Sequence, residues 1–131
     1  MSTKTIWVID DDPIYQIIVN KIIKKSELFL SVSSFKNGKE AVDALKDALD
    51  DKIVFPNVIL LDINMPVMDG WEFMEEMGLL KAQINTAIQI YIVSSSIALE
   101  DKNRAKIHPE IIAYLSKPVN NNDLILIAAN I

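Results

Sequence analysis

The chain has 131 residues, 50% apolar and 24% charged, a balance that closes one hydrophobic core and excludes disorder. A net charge of −5 argues against nucleic acid as a direct partner, because phosphate backbones call for clustered Lys and Arg. Cysteine is absent, which excludes disulfides and thiolate metal sites and fits a reducing compartment.

Met1-Ser2-Thr3-Lys4 runs straight into the first apolar segment, without the length of a signal peptide. No apolar stretch approaches the roughly 20 residues of a membrane helix. One soluble, cytoplasmic domain over residues 1–131 is expected. The first strand is Thr5 to Ile9, followed by Asp10-Asp11-Asp12-Pro13, an N-cap with proline at the first helical position. Ile14, Ile17, Ile18 and Ile22 then repeat at three- and four-residue spacing, predicting one apolar helix face that ends near Lys25. Lys21, Lys24 and Lys25 form the nearest approach to a basic cluster and read as the solvated side and end of that helix.

Phe29 to Phe35 is a short second strand. Asn37-Gly38-Lys39-Glu40 opens the second helix in the manner of a capping box, and Ala41, Val42, Ala44, Leu45 and Ala48 follow. Leu49 to Pro56 looks like a modest insertion with no functional reading. Val58 to Leu61 is the third strand, and Asn64 to Gly70 a loop. Trp71 to about Gln83 is the third helix, with Phe73, Met74 and Met77 inward. Ile88 to Val93 forms the fourth strand, and Ser96 can cap a fourth helix that runs to about Lys106 and stops at His108-Pro109. Ile111 to Leu115 is the fifth strand, and Asn120 to Asn122 cap a last helix. Five strand–helix alternations with apolar strands predict a parallel α/β sheet covered on both faces, doubly wound.

Polar residues stand where these strands end. Asp10 and Asp11 follow the first, Asp62 the third, Ser94 the fourth, and Lys117 the fifth after one intervening residue. In an open parallel sheet the carboxyl ends share one edge, where ligands bind, so these groups converge. An aspartate can attack phosphorus to give an acyl phosphate, and Asp62, at the end of the most apolar strand, is the best placed. Asp10 and Asp11 repel it unless a cation intervenes, and Mg²⁺ suits an all-oxygen site. Asp11 and Asp62 are candidate direct ligands, Asp10 a ligand through water, and Asn64 a ligand through its backbone carbonyl. Lys117 and Ser94 then offer an ammonium and a hydroxyl to the phosphoryl oxygens. Taken singly, each residue reads as a helix cap, turn former or surface lysine; the conjunction carries the chemistry.

These motifs resemble the receiver domain of two-component response regulators over almost the whole chain. The resemblance lies in Val8-Ile9-Asp10-Asp11-Asp12-Pro13, Asn37 to Ala41, Leu61-Asp62-Ile63-Asn64-Met65-Pro66-Val67-Met68-Asp69-Gly70, Val93-Ser94-Ser95 and Tyr114-Leu115-Ser116-Lys117-Pro118. It implies a flavodoxin-like (βα)5 fold with strand order 2-1-3-4-5. It implies Asp62 as phosphoacceptor, Asp10 and Asp11 as the acidic metal pair, Asn64 as a carbonyl ligand, and Ser94 and Lys117 at the phosphoryl group. Tyr114 would be the aromatic that turns inward when Ser94 moves, and Lys117-Pro118 a cis peptide. The implied donor is a histidine kinase or phosphotransfer protein, and the implied role is signalling rather than turnover catalysis.

Side chains two residues after Asp62 and two after Ser94, here Asn64 and Ser96, would tune hydrolysis, for which a lifetime of minutes is expected. With no further segment after the receiver-like region, output is expected through protein contact. Leu124 to Ala129 is apolar on nearly every side, which reads either as a short terminal helix whose remainder is missing or frayed, or, as the resemblance to receivers implies, as part of a contact face of the fourth helix, fifth strand and last helix for a partner or a second copy. Receivers usually carry a small residue before the fifth strand; Ile107-His108-Pro109-Glu110 departs from that pattern.

Three rivals compete. A haloacid-dehalogenase-like phosphatase needs a second catalytic aspartate where this chain has Asn64. A flavodoxin-like electron carrier needs a phosphate-binding loop where Asp10 to Asp12 would repel phosphate. A degenerate receiver would act as a binding module without phosphorylation. His108, the sole histidine, sits in a Pro-containing turn and reads as structural; Trp7, Trp71, Met65 and Met68 read as packing residues.

Overall fold

The computed structural model describes residues 3–95 and 99–131. Five βα units follow one another: β1 (Thr5–Ile9), α1 (Pro13–Ser26), β2 (Ser31–Phe35), α2 (Gly38–Leu49), β3 (Val58–Leu61), α3 (Gly70–Leu80), β4 (Gln89–Ser94), α4 (Leu99–Ala105), β5 (Ile111–Ser116) and α5 (Asn121–Ala129). The strands form one parallel sheet in the order β2-β1-β3-β4-β5. None of the described helices is long and apolar enough to cross a membrane.

Strand pleating divides the apolar residues between the two faces. Ile6, Val8, Val58, Leu60, Tyr91 and Val93 pack toward α1 and α5. Trp7, Ile9, Ile59, Leu61, Ile90 and Ile92 pack toward α2 and α3, together with Ala105 of α4. The three central strands are buried on both sides, which is why they read as continuous apolar runs. β2, at the edge, is mostly exposed and begins at Ser31 rather than Phe29.

α1, α2, α3 and α5 start where the capping chemistry places them. Asp12 accepts the amides of Ile14 and Tyr15, with Pro13 opening α1. Asn37 accepts the amide of Glu40, but the Glu40 carboxylate accepts from Lys36 rather than Asn37, so the box is half formed. Full capping boxes open α3, between Asp69 and Glu72, and α5, between Asn120 and Asp123. The third helix stops at Leu80 and tightens into a 3-10 turn over Lys81–Gln83.

One expectation is overturned. Ile14, Ile17 and Ile18 are 69%, 58% and 46% exposed, while Tyr15, Val19 and Ile23 are buried. α1 is apolar on two stripes, so periodicity alone does not choose between them; the sheet selects the one headed by the larger Tyr15 ring. Ser96, expected to cap α4, lies outside the described residues.

Candidate functional site

The register of the sheet builds the site. Ile9 pairs with Leu61, so the next residues, Asp10 and Asp62, emerge side by side from β1 and β3. The backbone then fixes both: the Asp62 amide donates to the Ile9 carbonyl at 2.9 Å, and the Asp10 amide to the Phe35 carbonyl at 2.9 Å. One Asp10 carboxylate oxygen accepts the Asp12 amide at 2.9 Å, which turns the chain into α1. The other, Oδ2, lies 2.6 Å from the Lys117 ammonium. Lys117 Nζ also lies 3.5 Å from Asp62 Oδ2. Its own amide donates to the Ser94 carbonyl at 3.1 Å, tying the end of β5 to the end of β4. Lys117-Pro118 is cis.

Carboxylate oxygens of Asp10, Asp11 and Asp62 lie within 4.8 Å of one another. Asp10 and Asp62 are buried and Asp11 is exposed, so the cluster opens to solvent on one side. Three hard oxygen donors, half dry and half reachable by water, fit Mg²⁺, which keeps part of its hydration. Burial raises the Asp62 carboxyl above its ordinary value, and the Asp10 charge adds to this while Lys117 opposes it. Burial lowers the Lys117 ammonium, but the hydrogen bond and charge of Asp10 outweigh it, and the net direction is up. Lys117 thus stays a cation beside two carboxylates.

The loop that follows Asp62 is held by contacts with no room for a side chain. A Cβ on Gly70 would lie 2.6 Å from the Asp62 carbonyl oxygen, and one on Gly38 would lie 2.9 Å from the Met68 carbonyl oxygen. The Gly70 amide closes the loop onto Ile63 at 2.8 Å, and the Gly38 amide joins it to α2 through Met68 at 3.0 Å. Asn64 stands exposed within this loop, while Met65 is buried and Met68 half-buried as packing residues.

Ser94 is buried at the end of β4. Tyr114 is half-buried on β5, and its hydroxyl donates to the Lys102 carbonyl of α4 at 3.1 Å. His108 lies away from the acidic cluster and stacks on Trp71 with 6.1 Å between ring centroids. The Trp71 indole N–H donates to Asp101 at 3.1 Å, and the Arg104 guanidinium lies 4.9 Å from the ring centroid, which joins α3 to α4.

Two residues of α1 that the sequence pattern did not single out border the site. Gln16 donates its amide to the carbonyls of Val8, Asp10 and Phe35 at 3.2, 3.0 and 3.1 Å, lashing α1 to the ends of β1 and β2. Tyr15 lies with its ring centroid 4.7 Å from Lys117 Nζ. The one available signal was a polar residue inside the apolar series from Ile14 to Val19.

The family described as the response regulator receiver domain matches residues 6–129. A protein-glutamate methylesterase/protein-glutamine glutaminase from Methanosarcina acetivorans is 27% identical over 119 residues, covering 89% of this chain and 31% of that protein. The sensor histidine kinase CheAY of Helicobacter pylori is 30% identical over 123 residues, covering 94% of this chain and 14% of that protein. The chain therefore spans less than a third of the length of these curated relatives. Among solved structures, a two-component response regulator from Cytophaga hutchinsonii superposes with a TM-score of 0.80 at 26% identity, covering 100% of each chain.

Proposed function

Since this chain belongs to the receiver-domain family of response regulators, we propose that it is a phosphoacceptor of two-component signalling whose acceptor is Asp62. The observation that carries this reading is the Asp62 carboxylate, with carboxylate oxygens of Asp10 and Asp11 within 4.8 Å and the Lys117 ammonium 3.5 Å away. An Asp62 oxygen attacks the phosphorus of an acyl phosphate or phosphohistidine. The bond from phosphorus to the donor's oxygen or nitrogen breaks, and the donor leaves with the electron pair. Mg²⁺ held by Asp10, Asp11, Asp62 and the Asn64 carbonyl would supply charge neutralisation at the transferring group. Lys117 leaves Asp10 for a phosphoryl oxygen, and the Ser94 hydroxyl donates to another.

Movement of Ser94 toward the phosphoryl group would free space for the Tyr114 ring, which would then give up its bond to Lys102. Phosphorylation shifts that equilibrium only through its differential interaction with the two states. The donor is a histidine kinase or phosphotransfer protein. The exposed Ile14, Ile17 and Ile18, on the helix that follows Asp10 and Asp11, offer it an apolar landing surface beside the reacting groups. Output leaves through the face of α4, β5 and α5, where Ile107, Ile112, Ile125 and Leu126 are exposed.

Intact mass after incubation with acetyl phosphate tests the chemistry. One added phosphoryl group is expected with Mg²⁺ and none without it, and none on Asp62→Ala with or without the metal. Asp11→Ala is expected to weaken metal binding first. Undiminished labelling of Asp62→Ala places the nucleophile elsewhere. An unlabelled wild-type protein leaves the module acting through binding alone.

A further inference from the structure

The phosphoacceptor reading assigns Lys117 to the phosphoryl group but leaves open what holds its ammonium there. Lysine is a point charge on a flexible four-carbon stem, so its position is set by what surrounds the head group. Two of its neighbours are the Asp10 and Asp62 carboxylates, at 2.6 and 3.5 Å. The third is the Tyr15 ring, with its centroid 4.7 Å from Nζ, within the range at which an aromatic face attracts a cation. Tyr15 is 9% exposed and anchored in the core with Val19 and Ile23. The ring is therefore a fixed wall rather than a mobile cover.

Its hydroxyl is buried beside the Val119 backbone and makes no well-formed hydrogen bond. The aromatic face, not the phenolic oxygen, is what this residue presents to Lys117. The distinction matters for the reaction. A carboxylate competes with phosphoryl oxygens for the ammonium protons, whereas a neutral ring attracts the ammonium without occupying its three N–H donors. Asp10 must release Lys117 when the phosphoryl group arrives, but the ring can keep hold of it throughout.

We infer that Tyr15 is a positioning residue of the phosphoacceptor site, whose aromatic face holds the Lys117 ammonium toward Asp62. The inference rests on the reading of Asp62 as phosphoacceptor and adds a member to that site. Tyr15 itself touches neither the donor nor the phosphoryl group; it acts through Lys117.

Beryllofluoride affinity at saturating Mg²⁺ is the main readout, with folding of every variant verified by thermal unfolding. Tyr15→Leu is expected to weaken binding about fivefold through loss of the ring's attraction, and Tyr15→Phe to restore it. In a Lys117→Ala background, Tyr15→Leu is expected to add no further loss. Tyr15→Met provides a second variant without an aromatic face should Tyr15→Leu not fold. Independently of any phosphoryl mimic, the Lys117 ε-methylene signals in ¹³C-lysine-labelled protein are expected to carry a ring-current shift, retained in Tyr15→Phe and lost in Tyr15→Leu. Equal losses in the wild-type and Lys117→Ala backgrounds would reduce Tyr15 to packing and overturn the inference. So would a Tyr15→Leu protein that binds as wild type. If the wild-type protein binds no beryllofluoride, the phosphoacceptor reading itself fails, a result distinct from either.

Discussion

At the scale of single residues, the loop after Asp62 shows how the site is kept in shape. Val67, 79% exposed, has φ 69, and the Met68 amide donates across it to the Pro66 carbonyl at 2.7 Å. This is a tight three-residue turn with a β-branched residue in the left-handed region, which is strained by about 1–2 kcal/mol. The loop keeps this conformation because Gly38 grips Met68 and Gly70 lies against Asp62. Val67→Gly is expected to raise stability by about 0.5–1 kcal/mol, since relief of strain exceeds the extra freedom that glycine gives the unfolded chain. Urea denaturation checks this through an upward shift in midpoint at unchanged slope. A lower midpoint would show that the Val67 side chain stabilises the loop more than its backbone strains it.

At the scale of elements, α3 and its exit supply two further expectations. Gly78 is exposed within α3, and a Cβ there would meet nothing within 4 Å. Gly78→Ala is expected to stabilise the protein by about 0.7 kcal/mol through helix propensity alone, read as a higher melting temperature. Beyond α3, Lys81 pairs with Glu110 at 2.5 Å, joining the 3-10 turn to the start of β5. Burial pushes the Glu110 carboxyl up, but the Lys81 hydrogen bond and charge prevail and hold it below its ordinary value of 4.5. A carboxyl lowered on folding contributes stability above its unfolded value and loses it as pH falls through the folded one. Glu110→Gln is therefore expected to flatten the fall in stability below about pH 4.5, measured by thermal unfolding across pH. A wild-type slope in that variant would assign the acid sensitivity to other carboxyls. Among these elements, α2 buried each apolar residue its spacing named, because it has a single apolar stripe. α1 has two, and its pattern named the wrong one.

At the scale of the whole molecule, the acidic cluster and the exposed apolar residues of β5 and α5 lie on different parts of the fold. The acidic cluster sits where β1 and β3 end side by side, the switch point of the strand order. Ile112 faces solvent at 45%, next to a shift in the β4–β5 register between Ile90 and Tyr91, and Ile125 and Leu126 are 47% and 70% exposed on α5. If a second copy covers this face on activation, light scattering is expected to show a monomer alone and a dimer with beryllofluoride and Mg²⁺. Leu126→Glu is expected to abolish the dimer. A monomer in both states at high micromolar concentration excludes self-association and directs the search to a different protein partner.

The sequence by itself determined the strand–helix alternation, the caps at Asp12, Asn37 and Asn120, and that Asp10, Asp11, Asp62, Ser94 and Lys117 stand at or just beyond the strand ends. Each of these is a local signal, an apolar run or a polar residue at its end, and the sheet edge needs only topology to bring them together. Only the tertiary structure decided which stripe of α1 is buried, because two apolar stripes of one helix are equivalent until a sheet is placed against one. It also decided the half-formed box at Asn37, the shifted register of β5 and the partners of Gln16. Tyr15 meets Lys117 across 102 positions of sequence, counted from 15 to 117, through a contact between α1 and the end of β5. No periodicity along the chain encodes that meeting, because it depends on where two separately formed elements come to rest.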